Sequence, residues 1–176
     1  MAALYVQTSG VYRGLLGVAQ VWSKDQDART YKGPHPVVAH PSCAHWGRLS
    51  VFASGDTKDC APRAVEQVQQ WGGVLEHPAH SQLWVYKDLP RPGQPCDEFG
   101  GYTVAVLQSW WGHRAPKASW LYVVGVGAMP ERPAPWGQWS HDPGGRVQNM
   151  CRAERERTPI AFALWLVAWA STCPSK

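Results

Sequence analysis

Residues 37–78, VVAHPSCAHWGRLSVFASGDTKDCAPRAVEQVQQWGGVLEHP, contain the pattern that decides the fold. The stretch begins with a short apolar run, VVA at 37–39, which is typical of a buried parallel strand entering a loop. It closes with a second short apolar run at 74–75, which is followed by the polar residues Glu76 and His77. Each run therefore predicts a buried strand that leads into a polar loop.

An amphipathic helix is predicted between the two runs. Pro62 occupies its first turn, where proline is tolerated, and Gly72 follows its last turn. Strand, helix and strand in this order form a βαβ unit, whose strands are expected to be parallel, neighbouring or nearly so, with a right-handed crossover. The loops at 40–43 and 76–78 would then share one rim of the sheet, where open α/β folds bind ligands. The apolar helix face consists of Ala61, Ala64, Val65, Val68 and Trp71.

The rest of the chain extends this unit into one α/β domain. β-branched and aromatic residues at 102–107 and 120–124 predict two strands. The connection at 108–118 is too short for a helical crossover, so this pair is expected to be antiparallel. The proline- and glycine-rich stretch 126–149 predicts a long irregular loop. A final apolar helix is expected to begin at 158–159, with the threonine as its cap, and to pack on the sheet.

The composition fits one globular domain. The chain has 176 residues, 44% of them hydrophobic and 17% charged, which excludes a disordered or fibrous protein. A net charge of +4 permits contact with nucleotides or nucleic acid without demanding it. Five cysteines without a C-x-x-C motif, and a start without a signal peptide, favour a reducing cytoplasm. The longest apolar run, 160–170, is too short to span a bilayer, so no membrane partner is expected.

Two residues on the predicted rim are candidates for catalysis. Cys43 could act as a nucleophile if a basic neighbour or a helix N-terminus lowers the pKa of its thiol. The alternative is a half-buried structural cysteine, which is common among free thiols. Glu76 ends its strand among apolar residues, where an acid needs a partner. It could be a general acid with a raised pKa, or a cap for the following loop.

Other polar residues near this rim admit further interpretations. His40 and His77 could contact a substrate or hydrogen-bond within the rim, and together with Cys43 they could ligate zinc. Arg114 and Lys117, in the connection between the last two strands, could bind an anion or a base edge, although cations in a turn are usually solvated. The adjacent tryptophans at 110–111 could stack on a base, but core packing is the simpler explanation.

In this order, the motifs resemble those of a DNA (cytosine-5) methyltransferase, and more closely the small phage-type proteins derived from that fold. VVAHPSC at 37–43 resembles the family's strand and Pro-Cys loop, and VLEHP at 74–78 resembles its Glu-Asn-Val/Pro motif. LQSWWGHRAPKASWLYVVG at 107–125 is similar to the family's strand, Gly-x-Pro-Gln-x-Arg-x-Arg turn and closing strand. RTPIA at 157–161 is similar to the last motif, a loop that runs into a helix beside the cofactor site.

The resemblance implies a fold and a chemistry. The fold would be a single three-layer Rossmann-like domain of methyltransferase type over residues 1–176, with a mostly parallel sheet and an antiparallel final strand pair. Cys43 would attack C6 of a pyrimidine, and Glu76 would hold and protonate the base as the acid. His40, His77, Arg114 and Lys117 would contact the substrate, which would be DNA or a pyrimidine nucleotide.

The chain also departs from the family pattern. After a short strand suggested by residues 3–6, the cofactor loop is reduced to QTSG at 7–10, in which Ser9 and Gly10 are the candidate contacts to S-adenosylmethionine. Lys117 and Ser119 occupy the positions of the family's Arg-x-Arg pair. The loop 126–149 takes the place of the large target-recognition region.

Three functional hypotheses follow from these observations. The first is a pyrimidine-modifying enzyme that uses Cys43 and Glu76. The second is a non-catalytic module derived from the same fold, which binds nucleic acid or a protein partner, for example as a phage countermeasure in the bacterial host cytoplasm. The third is a zinc-dependent hydrolase or deaminase that uses His40, Cys43 and His77.

Overall fold

The computed structural model describes residues 1–47, 50–133 and 147–174. Within them, six strands form one sheet with the order β2-β1-β3-β4-β6-β5. The first four strands of the sheet, β2, β1, β3 and β4, are parallel to one another. Strand β6 runs antiparallel to both of its neighbours, β4 and β5. The strands are β1 (Ala2–Leu4), β2 (Gln20–Trp22), β3 (Val37–Ala39), β4 (Gly73–Pro78), β5 (Tyr102–Leu107) and β6 (Ala118–Val124).

Helices cover both faces of this sheet. Helix α1 packs against β3 and β4 on one face, in an apolar core that also includes residues of α2. Helix α4 packs against the same two strands on the opposite face, in a second apolar core. The protein is therefore an α/β fold of three layers. The helices are α1 (Cys60–Trp71), α2 (Leu83–Tyr86), α3 (Arg152–Glu156) and α4 (Ile160–Ala170).

The predicted βαβ unit and antiparallel pair are confirmed. Strands β3 and β4 are parallel neighbours joined by α1, with Val37 opposite Gly73 and Ala39 opposite Leu75. Gly73 is required at this point, because a Cβ atom there would lie 1.9 Å from the carbonyl oxygen of Val37. Strands β5 and β6 are antiparallel, and a 3-10 turn at Gln108–Trp111 lies between them.

The beginning of the last helix differs from the prediction. Pro159, not Thr158, is the N-cap residue of α4, and no side chain caps its first turn. The helix packs on the sheet as expected, but its apolar circumference is not fully covered, since Ile160 remains 61% exposed. Most of the predicted irregular loop, residues 134–146, lies outside the described residues. Among the described residues, no helix has the length and apolar character to cross a membrane.

Candidate functional site

The predicted rim gathers polar side chains from several strands. His40 follows β3 directly, Glu76 lies near the carboxyl end of β4, and Gln108 follows β5. Ser119 lies near the amino end of β6, which reaches the same edge because β6 runs antiparallel to its neighbours. The rim also includes the point where the strand order reverses, because β1 lies between β2 and β3. Open α/β sheets bind ligands outside such a point.

Glu76 is the centre of the rim and is only 7% exposed. Its Oε2 accepts a hydrogen bond from His40 Nδ1 at 3.1 Å. Its Oε1 accepts one from Gln108 Nε2 at 3.0 Å and another from the Ser119 hydroxyl. Burial by itself raises the pKa of this carboxyl, but the His40 hydrogen bond, the Lys117 ammonium and the Ser119 hydroxyl together hold it well below the usual range. The expected raised pKa is therefore wrong, and Glu76 is ionised at neutral pH.

His40 connects Glu76 to a tyrosine from the loop after β1. The Tyr12 hydroxyl lies 2.6 Å from His40 Nε2, and Tyr12 is buried. Burial, reinforced by the Glu76 carboxylate, raises the pKa of Tyr12 well above its usual value, so the phenol keeps its proton. Because the ionised Glu76 can only accept, His40 Nδ1–H donates to the carboxylate. In the neutral ring Nε2 then accepts the hydrogen bond of the Tyr12 O–H. We call Tyr12, His40, Glu76, Gln108 and Ser119 the rim network.

Cys43 lies on the same rim, in the loop after β3, and is exposed as a residue. Packing around the thiol nevertheless raises its pKa, and the Glu76 carboxylate raises it further, while the Lys117 ammonium opposes both effects. The thiol is thus within electrostatic reach of Glu76 and Lys117. The lowered pKa that would mark an activated nucleophile is not present, so Cys43 is a neutral thiol at neutral pH.

His77 does not join the rim network, although it follows Glu76 in sequence. Successive strand residues point to opposite faces, and His77 is 0% exposed beside Trp84 of α2. The Ser42 backbone lies close to it, but neither ring nitrogen makes a hydrogen bond of normal geometry to a described residue. In this structure His77 is a core residue and does not reach a substrate, in contrast to its predicted role.

Replacing His77 by leucine is expected to reduce the acid sensitivity of the fold. Burial lowers the pKa of His77 to about 4. The unfolded chain binds this proton near pH 6.5 and the folded chain does not, so stability is complete above pH 6.5 and falls as the pH drops toward 4. The loss amounts to about 3 kcal/mol at pH 4. Urea unfolding at pH 7 and pH 4 should show this difference for the natural chain and not for His77→Leu, and equal pH dependence would contradict it.

Arg114 and Lys117, the two candidate cations in the β5–β6 connection, lie in different surroundings. Lys117 acts on the rim, since its ammonium lowers the pKa of both Glu76 and Cys43. Arg114 is exposed, and its Nη1 donates to Glu154 Oε1 of α3 at 2.8 Å. Only Lys117 is thus placed to act on a ligand between Cys43 and Glu76.

The candidate cofactor residues Ser9 and Gly10 lie in the long connection between β1 and β2. The segment closes on itself, because Gly10 N–H donates to the Gln7 carbonyl at 2.9 Å. A Cβ atom on Gly10 would lie 2.9 Å from that same oxygen, so the glycine serves the turn. The Thr8 hydroxyl donates to Asp25, an acid just after β2, at 2.9 Å.

The three residues of the zinc alternative are His40, Cys43 and His77. No group of three or more His, Cys, Asp or Glu side chains in the described ranges is arranged to hold a metal ion. Both ring nitrogens of His40 are engaged, one with Tyr12 and one with Glu76. His77 is enclosed in the core. The predicted set of His40, Cys43 and His77 does not converge on one point.

Three members of the rim network were not identified as site residues from the sequence. Gln108 and Ser119 lie within the segment that resembles the family's turn and closing strand, but nothing in their spacing indicates a bond to Glu76. Tyr12 lies in an N-terminal segment without regular periodicity. Its only signal is its position after the first short strand, on the side of the sheet where ligands bind.

Comparison of the chain with protein-family models, with curated proteins and with solved structures finds no match. No relative therefore assigns a role to any residue. The rim itself brings together the buried, ionised Glu76, the exposed Cys43 and Lys117.

Proposed function

We propose that the chain modifies a pyrimidine base of DNA or of a nucleotide, by the chemistry of the cytosine-5 methyltransferases that its motifs resemble. The observation that carries the proposal is the shared rim of β3 and β4. An exposed thiol, Cys43, lies in the loop after β3, and a buried carboxylate, Glu76, lies near the carboxyl end of the adjacent parallel strand β4. The carboxylate raises the pKa of the thiol. The sheet also has the mostly parallel order and antiparallel final pair that the resemblance implies.

The proposed reaction needs these two residue types close together. The sulfur of Cys43 forms a bond to C6 of the pyrimidine, and the C5=C6 π pair becomes a C4=C5 bond. The π pair of C4=N3 in cytosine, or of C4=O4 in uracil, passes to the heteroatom. The thiol loses one proton and N3 of cytosine or O4 of uracil gains one, so the addition is balanced without another reactant. Glu76 carries this proton as a base and then as an acid. The resulting adduct has a nucleophilic C5, which can attack an electrophile or take up a proton from solvent.

The rim network has a defined task in this proposal. Oε1 of Glu76 accepts two hydrogen bonds, from Gln108 and Ser119, whereas Oε2 accepts one, from His40 Nδ1. A base would therefore bind at Oε2, which has a second lone pair. Lys117 favours the thiolate that must form before addition, because its ammonium lowers the pKa of Cys43. The Tyr12 hydroxyl bonds to His40 Nε2 and so holds the ring in place beside Oε2 of Glu76.

Hydrogen exchange at C5 tests this chemistry without any cofactor. Reversible addition at C6 allows C5 to take up deuterium, which ¹H NMR detects as loss of the H5 signal in D₂O. We expect the protein to accelerate this exchange in dCMP, dUMP or a cytosine-containing oligonucleotide. Absence of exchange above the protein-free rate in all three would overturn the proposed function.

A non-catalytic binding module is the second candidate, and specific observations favour it. The pKa of Cys43 is raised and Glu76 accepts three hydrogen bonds, which suits a stable polar cluster as well as a catalyst. The segment at 7–10, which contains the candidate cofactor contacts, is turned on itself. On this hypothesis the protein binds a nucleic-acid or protein partner and does not bind S-adenosylmethionine.

Calorimetric titration with S-adenosylmethionine distinguishes the two candidates. Saturable binding supports the methyltransferase type of enzyme. Absence of heat, together with binding of DNA that weakens steeply with salt, supports the module. A chain that exchanges H5 but does not bind S-adenosylmethionine would be a pyrimidine-modifying enzyme with a different electrophile.

A further inference from the structure

A second concave site is formed by the turn after β5 and the junction of α3 and α4. It is a cleft of about 280 Å³. Its apolar floor consists of Trp111, Met150 and Ile160. Its polar lining includes two arginines and a histidine, which suits a ligand that has both an apolar and an anionic part. The polar side chains are Arg114, Arg157, His113 and Glu154.

The charges around this cleft favour an anion. Glu154 is the one carboxylate among the lining residues, and it accepts a hydrogen bond from Nη1 of Arg114. Arg157 is exposed and makes no ion pair with any described residue. Two guanidinium groups therefore face a single carboxylate, and the second guanidinium can bind phosphate oxygens in a bidentate manner.

A buried histidine in the same wall has an unused polar atom. His113 is 7% exposed, and its Nδ1 lies 2.8 Å from the Ala115 carbonyl oxygen and 3.1 Å from the Ala115 backbone nitrogen. In the tautomer in which the Ala115 N–H donates to Nδ1, the ring proton is on Nε2, which is then a donor. Nε2 has no hydrogen-bond partner among the described residues. Buried polar atoms in proteins are nearly always partnered, so an atom without a partner in the wall of a cleft indicates a ligand that supplies one.

The N-terminus of α4 adds a third contribution. This helix has 11 residues, begins at Ile160, and has no side-chain cap on its first turn. Ile160 and Ala161 line the cleft, so the open end of the helix faces it. Free backbone N–H groups and the positive end of the helix dipole favour a negatively charged group at this position.

We propose that this cleft binds a phosphate group, as a nucleotide monoester or as part of a nucleic-acid backbone. Arg157, the α4 N-terminus and His113 Nε2 contact the phosphate, and the apolar floor contacts the adjoining sugar or base. The volume of about 280 Å³ lies at the lower end of the range for small-molecule pockets, about 300 to 1,000 Å³, and so suits a small ligand. The site is separate from the rim network, since neither Cys43 nor Glu76 lines it.

Calorimetric titrations of the full chain with inorganic phosphate, dCMP and a cytosine-containing single-stranded oligonucleotide test this proposal. We expect Arg157→Ala to weaken binding of the preferred ligand about tenfold, whereas Arg91→Ala, a change at an exposed arginine in another loop, leaves it unchanged. Tighter binding of dCMP than of the oligonucleotide identifies a free nucleotide as the ligand. Tighter binding of the oligonucleotide, with a salt slope reduced by about one in Arg157→Ala, identifies a nucleic-acid backbone.

The proposal is overturned if none of the three ligands binds, or if Arg157→Ala and Arg91→Ala have equal affinities. A second variant, Arg157→Lys, separates charge from geometry and is expected to recover part of the lost affinity. Failure here differs from failure of the proposed chemistry, because H5 exchange reports on Cys43 and Glu76 and not on this cleft.

Discussion

Replacing Glu76 by alanine is expected to lower the free energy of unfolding by about 3–5 kcal/mol. The change removes the carboxylate that accepts hydrogen bonds from His40, Gln108 and Ser119. These three donors then lose this acceptor at a buried position. Urea unfolding at pH 7 measures the loss. The matched control is Glu66→Ala, since Glu66 pairs with Arg63 and Lys87 on the surface and its removal should cost less than about 1 kcal/mol.

The pH dependence gives this prediction a second readout. The pKa of Glu76 lies below its usual value in the folded chain, so its stabilisation is complete above about pH 4.3, the ordinary value, and is lost as the pH falls further. Glu76→Gln should lack this part of the acid sensitivity. Equal losses for Glu76→Ala and Glu66→Ala, or an unchanged acid profile in Glu76→Gln, would show that the rim network does not stabilise the fold.

Replacing Cys43 by serine is expected to abolish H5 exchange altogether. The hydroxyl of serine is a much weaker nucleophile than a thiol and does not ionise near neutral pH, so addition at C6 stops. Cys43 is exposed, and the exchange of sulfur for oxygen should leave the unfolding free energy within about 0.5 kcal/mol of the natural value. ¹H NMR of dCMP in D₂O measures the exchange rate, and urea unfolding checks the fold.

Cys96→Ser is the matched control, because Cys96 is also a free, exposed cysteine. Its exchange rate should equal that of the natural chain. Exchange that persists in Cys43→Ser would assign the chemistry to another group. Loss of exchange in both variants would indicate a general effect of removing a thiol and would also contradict the role of Cys43.

The sequence predicts most of the sheet correctly because apolar patterning determines buried strands. The run at 37–39 and the segment at 102–107 coincide with β3 and β5, and the helix face from Ala61 to Trp71 coincides with α1. These elements are buried on regular faces, so their periodicity is visible without tertiary information. The shared rim of Cys43 and Glu76 follows from the same βαβ geometry.

The partners of the polar residues could not be predicted. Tyr12 meets His40 because β1 and β3 are neighbours in the sheet, a fact that no local pattern contains. The sequence predicts that His77 contacts the substrate, but strand alternation places its side chain in the core on the other face of the sheet. The pKa of Glu76 falls because several donors and Lys117 converge on it, whereas burial by itself would have raised it. Each outcome depends on contacts between residues far apart in sequence.

The most direct test of the central claim is to locate a covalent adduct on the protein. The chain is incubated with S-adenosylmethionine and an oligonucleotide or nucleotide that contains a 5-fluoropyrimidine, and is then digested for tandem mass spectrometry. Once C5 of this base has accepted a methyl group it has no proton to lose, so the thiol is not released. We predict one adduct, on the peptide that contains Cys43, and none in Glu76→Gln. An adduct on Cys60, Cys96 or Cys151 instead would contradict the proposed role of Cys43, and an unmodified Cys43 would contradict methyl transfer by the proposed chemistry.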